Sequence, residues 1–415
     1  MKQVQYTLPN TWTWKTLDDV SEKITDGTHH SPKVQHLEWA PGRFKYITSK
    51  NIKNNGMKLD DISYIDQNIH DEIYARCPPE FEDQLLTKDG AMTGTCCLNE
   101  LNEPFSLLSS VALIKQKRSI IQPKYLNYYL QSHVGQNFLL GDISGAAITR
   151  TNIKKLKSTP VPLAPFSEQK RIVEKLDALL SRIDTVIEHF QESVKLSDAL
   201  YASSLDQVFE KVYSDYSTKP LSVLASKIGS GATPKGGQKA YKKSGISLIR
   251  SLNVYDSEFK LEGLAFIDDD QAVKLSNVVV EEGDVLLNIT GASIARCCVA
   301  PVDFLPARVN QHVCIIRPNE ELNSTYLNYL LISPKFKAAL LFQGAGGATR
   351  QALTKVMVSN LDIPLPPLKT QTELVGKVNL LSQKNRALKE SVNSKISDLI
   401  TLKTSILDSA FKGEL

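Results

Sequence analysis

Two long stretches of this chain carry a seven-residue rhythm of apolar positions. In the first, Ile172, Leu176, Leu179, Ile183, Val186 and Phe190 are spaced four, three, four, three and four apart. That is the seam of a helix lying lengthwise against another helix. No Gly or Pro interrupts the text from Phe166 to Phe209, so the pattern predicts one helix of roughly 60–65 Å at about 1.5 Å per residue. A helix so long and one-sided needs a partner to cover its seam. The C-terminal stretch supplies one, with a seam at Leu374, Val378, Leu381, Leu388, Val392, Ile396, Leu399 and Ile406. Polar Asn385 occupies one seam position, where such a residue can fix register at some cost in stability.

The text before each helix has a shorter period. In the first half, FKYITSKNI, LDDISYI, DQLLTKDGAMTGTCCL and SLLSSVALIK alternate as strands between turn-rich loops, and YLNYYLQS reads as a short helix. The second half repeats this order. KIGSGATPKGG stands where KITDGTHHSPK stood, SLIRSLNV matches KYITSKNI, and GDVLLNITGASIARCCV matches DQLLTKDGAMTGTCCL. TYLNYLLIS matches KYLNYYLQS. Pro162 and Pro364, Gln169 and Gln371, and Asp206 and Asp408 are each 202 positions apart. This is a whole-length tandem repeat. The expected domains are residues 1–165, a long helix over 166–213, a second globular domain over 214–367, and a second long helix over 368–415. The two globular halves share a skeleton and differ in most side chains, which suggests two similar tasks on two different targets.

Composition narrows the class. At 415 residues, 42% hydrophobic and 23% charged, the chain has ordinary globular content. It has no apolar run of the roughly 18–20 residues that cross a bilayer and no signal-peptide core, so a cytoplasmic location is expected. Six cysteines are too few for a disulfide scaffold. The adjacent pairs Cys96-Cys97 and Cys297-Cys298 lack zinc spacing and read as buried thiols. A net charge of +4 permits nucleic-acid binding without arguing for it.

The duplicated plan, the helix start PLAPFSEQKRIVEKLDALLSRID, the ending SILDSAFKGEL, the opening LPNTWTWKTLDDV and the SGATPKGG and RSLNV stretches together resemble the DNA-specificity subunit of type I restriction-modification systems. The resemblance spans the whole chain. Small departures are PLAP against PLPP at the two helix starts, and Thr370 where the first half has Glu168. The resemblance implies an α+β fold: two strand-rich target-recognition domains joined by a long antiparallel two-helix coiled coil, a tandem repeat with pseudo-twofold symmetry. Each domain would read one half of a bipartite double-stranded DNA target, and the helices would set the spacer and dock partners. The family has no catalysis or cofactor of its own. S-adenosylmethionine belongs to two modification (adenine methyltransferase) subunits, and ATP and Mg²⁺ to up to two restriction subunits. The rival reading from the pattern is a coiled-coil adaptor whose globular domains bind proteins.

The residues agree with a non-catalytic chain. There is no N/D-P-P-Y/F/W methyltransferase motif and no GxxxxGK[ST] phosphate loop. Asp256, Glu258 and Lys260 carry a short nuclease-like pattern that arises easily by chance and is missing from the first half. His29-His30 lacks a nearby third ligand and is read as a solvated or DNA-facing pair. DNA contact requires amides, hydroxyls and Lys or Arg on groove-facing loops. Thr28, His29, Lys33, Lys50, Asn51 and Arg150 in the first half, and Thr233, Lys235, Arg250, Asn253 and Arg350 in the second, are the candidates. Asn suits adenine and Arg suits guanine. For Lys50, Asn51, Arg250 and Asn253 the alternative of a turn residue capping its own loop stays open, and for Arg150 and Arg350 a structural salt bridge stands beside phosphate contact.

Overall fold

The computed structural model describes residues 6–141, 150–234, 236–345 and 352–415. They form two compact units of mixed helix and strand. One is Met1–Phe190 with Ser394–Leu415, and the other is Gln191–Asn393.

The first unit is built on a four-stranded antiparallel sheet in the order Ser21–Asp26, Val111–Gln116, Gln84–Thr87, Cys96–Leu98. Successive strand residues point to opposite faces, and here both faces are covered. Leu86, Cys96, Ala112 and Ile114 enter one core with Tyr125, Leu126, Ile172 and Leu176. Leu85, Cys97, Val111 and Leu113 enter another with Ile47 and Leu107. A second sheet, ordered Ser63–Asp66, Arg43–Ile47, Ser106–Leu107, carries the chain to the turn Ser49–Asn51.

The second unit has the same strand order: Ala225–Ser230, Val313–Pro318, Val285–Asn288, Cys297–Val299. Val285, Leu287, Cys297 and Ile316 face one core, and Leu286, Cys298, Val313 and Ile315 the other. Adjacent cysteines therefore point away from each other. All six thiols are free and buried. Burial pushes Cys97 and Cys298 up to about 12, far from the reactive thiolate.

Two helices dominate the structure, Phe166–Asp215 with 50 residues and Leu368–Lys412 with 45. Each start is docked by a buried glutamine. Gln169 accepts the Gln122 N–H at 2.9 Å and donates to the carbonyls of Ile120 and Ala164. Gln371 accepts the Asn323 N–H at 2.8 Å and donates to Glu321 and Pro366. Tyr125 donates to the Pro162 carbonyl and Tyr326 to that of Pro364, both at 2.8 Å. These bonds explain why Gln and Tyr recur at a fixed spacing.

Within each unit the start of one long helix runs beside the end of the other. In the first, Lys403 Nζ lies 2.7 Å from Asp184, and Leu407 and Phe411 join the core with Ile172 and Leu176. In the second, Leu205 and Phe209 share a core with Val378 and Leu374. There Asn385 accepts from Ser197 Oγ at 2.5 Å and donates to Asp198 at 3.1 Å, and Lys389 reaches the same carboxylate at 2.9 Å. Asp206 and Asp408 accept the Lys335 and Val134 N–H groups, in the first turns of short helices whose N-terminal dipole favours a carboxylate.

The seam expectation needs one correction. Ile172, Leu176, Ile183, Val378 and Val392 are buried, and Leu179, Phe190, Leu374, Leu381 and Leu399 are half-buried. Val186 and Leu388 instead stand 39% and 47% exposed, whereas Val173 and Leu180, off the heptad, are buried. A helix that meets a globular core presents a broad 3.6-residue face, and the narrow heptad line no longer decides burial. No helix among the described residues is long and apolar enough to cross a membrane.

Candidate nucleic-acid interface

In each unit a strand delivers the chain into a one-turn 3₁₀ helix, Ser49–Asn51 or Ser251–Asn253. The asparagine that ends the turn is buried in both, with 2% and 0% of its surface exposed. Asn51 accepts the Thr48 N–H at 3.0 Å and donates to the carbonyls of Lys58 and Asp61. Asn253 accepts the Arg250 N–H at 3.0 Å and donates to Lys260 and Glu262. The structure thus gives both asparagines the turn-capping role, which leaves neither amide turned toward a base edge. Arg250 is likewise a strut: its guanidinium donates to the Gly263 carbonyl and lies 5.1 Å from the Tyr241 ring centroid. Lys50 is exposed and pairs with Asp61 at 2.9 Å.

The glycine-bearing loops also have a local reason. A Cβ on Gly27 would sit 1.7 Å from the Leu107 carbonyl oxygen, and one on Gly231 would sit 1.8 Å from that of Val309. These residues are glycine because two backbones touch there. Beyond Gly27, Thr28 donates its N–H to Leu107 at 2.9 Å and its hydroxyl to His30 at 3.1 Å. Lys33 is exposed. Thr233 donates its hydroxyl to Gln311. Lys235 and Arg350 lie outside the described residues.

The first unit gathers His29 and Arg150 around a charged cluster that sequence reasoning missed. Lys88 is buried and lies 3.2 Å from Asp26 and 3.5 Å from Asp89. Asp26 also meets Arg76 at 2.7 Å and His29 at 3.7 Å. Asp89 holds Arg150 at 2.7 Å, and their backbones form an isolated bridge. Arg150 remains exposed, so its guanidinium is anchored on one side and open on the other.

Among the described residues of the second unit this cluster has no counterpart: Ser230, Ile289 and Thr290 stand where the first unit has Asp26, Lys88 and Asp89. The bridge recurs as Thr290 to Ala352, and a groove of about 840 Å³ opens beside it. Its walls include Ser251, Thr290, Ser293, His312, Tyr255 and Arg296. Thr290 Oγ1 lies 2.5 Å from His312 Nδ1. The Tyr255 ring carries two cations, Lys260 Nζ at 4.2 Å and the Arg296 guanidinium at 4.4 Å from its centroid. The signal that could have found Arg296 is its mismatch. It stands in the hairpin position where the first half has Thr95.

Of the nuclease-like trio, Asp256 pairs with Lys337 and Lys260 lies on Tyr255. Among the described residues no group of three or more His, Cys, Asp or Glu side chains is placed to hold a metal.

A family model described as the type I restriction modification DNA specificity domain matches this chain twice, at residues 9–195 and 214–397. The chain is similar to the type I restriction enzyme EcoBI specificity subunit of Escherichia coli, 24% identical over 359 residues that cover 80% of this chain and 74% of that one. It is also similar to the EcoKI specificity subunit of Escherichia coli strain K12, 20% identical with 98% and 90% covered. Among solved structures, one from work on complex assembly and conformational transition of the type I R-M system aligns over 99% of this chain and 100% of that one, with a TM-score of 0.75 and 22% identity. The HsdS subunit from Thermoanaerobacter tengcongensis aligns over the full length of both chains, with a TM-score of 0.53 and 22% identity. The two family matches together span most of the chain, and on that ground it belongs to the type I restriction-modification DNA specificity family.

Proposed function

We propose that this chain is the DNA-reading subunit of a type I restriction-modification complex, with each unit recognising one half of a bipartite duplex target. The observation that carries the reading is the shared rim. In both units the same backbone turns, Ser49–Asn51 or Ser251–Asn253 and the hairpin before the cysteine pair, present different side chains. A constant scaffold with variable rim residues is what reading two unlike half-sites requires. Arg150, braced by Asp89, and Lys33 are exposed and are proposed as DNA-facing cations of the first unit. Lys235 and Arg350 are proposed for the second from their place in the repeat.

The two long helices form an antiparallel coiled coil in this reading, and the chain is a tandem repeat. The helices fix the spacer between half-sites and carry two modification subunits. Methyl transfer to adenine and any cleavage reside in the partner subunits, which bring S-adenosylmethionine, ATP and Mg²⁺; this chain contributes binding and position. The test is an exchange. Replacing residues 214–367 with the corresponding region of a relative should change one half of the methylated motif in host DNA and leave the other half intact. A change in both halves would refute the assignment of one half-site to each unit.

A further inference from the structure

We propose that Arg296 is a guanine-reading residue of the second unit, held flat by Tyr255, with Lys260 beside it as a phosphate contact; this rests on the DNA-reading function above. The backbone of Arg296 is fixed on the rim of the hairpin. Its carbonyl accepts the Asn288 N–H at 2.8 Å, and its own N–H donates to Ser293 at 3.2 Å. The side chain lies over the Tyr255 ring within the groove. Stacking on an aromatic face restricts a guanidinium to one plane and leaves its forked N–H edge free to point outward.

Three features point to a nucleic-acid ligand. First, Arg296 and Lys260 share one ring, and neither has a carboxylate within ion-pair distance among the described residues. Several other cations of this unit are paired, among them Arg317 with Asp284 at 2.8 Å, Lys219 with Glu321 at 2.7 Å, and Lys337 with Asp256; what sets Arg296 and Lys260 apart is that both lie on one ring. Two unpaired positive charges on one ring repel each other, and an anionic ligand relieves that repulsion. Second, the other polar groups on the groove wall are the Ser251, Thr290 and Ser293 hydroxyls and the His312 imidazole. They offer hydrogen bonds at the scale of a base edge. Third, the fork selects the base. A guanidinium only donates, and guanine presents two acceptors, O6 and N7, in the major groove, whereas adenine places an amino donor beside its N7. A lysine is a point charge and suits a phosphate.

The first unit has Lys53 where the second has Tyr255 and Thr95 where it has Arg296, while Lys58 stands where Lys260 does, so it is the arginine on its ring that is peculiar to the second unit. The stacked arginine therefore belongs to one half-site only, and that asymmetry gives the test its readout. The assembly isolated through a tag on the full chain would be allowed to select from a duplex library with random sequence. Wild type should enrich a bipartite motif with a guanine in one half. Arg296→Ala should lower the preference for that guanine about tenfold or more and leave the other half unchanged. Arg296→Lys should keep overall affinity yet lose the same preference, and Lys260→Ala should weaken all sequences alike. Thermal unfolding of each variant identifies loss of fold, and Tyr255→Phe, which keeps the ring, should retain the motif. An unchanged motif in Arg296→Ala would overturn the proposal while leaving the DNA-reading function standing. So would a uniform weakening by Arg296→Ala without any positional change. Failure of wild type to enrich any motif would overturn both.

Discussion

At the scale of single residues, side chains chosen for DNA contact and side chains that hold a turn are chemically alike. Asn253 spends its amide on three backbone partners and is fully buried. Asn253→Ala should therefore destabilise the second unit by about 1–3 kcal/mol, the cost of leaving buried donors and acceptors unpaired. Urea unfolding would show this, while the motif selected from random duplexes stays the same at every position. A loss of one base preference at unchanged stability would restore Asn253 to the list of base readers. Gly231 makes a sharper case. Its Cβ would meet the Val309 carbonyl oxygen at 1.8 Å, whereas a Cβ on Gly229 meets nothing within 4 Å. Gly231→Ala should cost on the order of 3 kcal/mol or more because backbone must move. Gly229→Ala should cost far less, and comparison of the two melting temperatures checks the contrast.

At the scale of elements, the long helices are anchored by buried polar contacts at their starts and tuned by exposed ones along their length. Gln371→Leu would leave the Asn323 N–H and the carbonyls of Glu321 and Pro366 without their partner. A loss of at least about 2 kcal/mol is expected from denaturant curves. The cluster of Asn385, Ser197, Asp198 and Lys389 is more open to water, so Asn385→Leu should stay within about 1 kcal/mol of wild type. Burial pushes the Asp198 carboxyl up, but Asn385 and Lys389 outweigh it and hold the group below the usual carboxylate range. Its folded value lies below its unfolded one, so its contribution is present at neutral pH and lost as pH falls through the lowered value. The stability difference between wild type and Asp198→Asn should thus persist from pH 8 to 5 and fade on acidification below about pH 4, where an ordinary aspartate protonates. A difference that grows in acid would contradict the pairing.

At the scale of the whole molecule, both long helices pass from one compact unit to the other, between Phe190 and Gln191 and between Asn393 and Ser394. If helix length sets the spacer between half-sites, equal insertions at both points should change it. Four residues add about 6 Å and slightly more than one turn, and a coiled coil absorbs the excess as a stutter. On B-DNA at about 3.4 Å per base pair this is one to two base pairs. The doubly extended variant should methylate host DNA at the same two half-sites with a spacer longer by that amount, as methylation mapping would reveal. An active variant with an unchanged spacer would make the helices a tether.

Much of this protein was legible in the chain itself. Strand and helix periods, the recurrence of text 202 positions apart and the proline-flanked helix starts are local patterns, set by backbone geometry and by which face meets water. Buried adjacent thiols were legible too, because a strand with both faces covered alternates its neighbours between two cores. What only the tertiary structure decided was the use of each polar side chain. Asn51 and Asn253 went to turns, while Lys88, absent from the sequence candidates, was buried between its chain neighbour Asp89 and Asp26, which ends a strand two places away in the sheet. Arg296 came onto Tyr255 from about 40 residues away in the chain. The seam changed for the same reason: Val186 was left exposed and Leu180 buried once a globular core lay against the helix. A hydrogen bond or a ring contact is a property of two positions in space, and one-dimensional pattern records the period of each position without naming its partner.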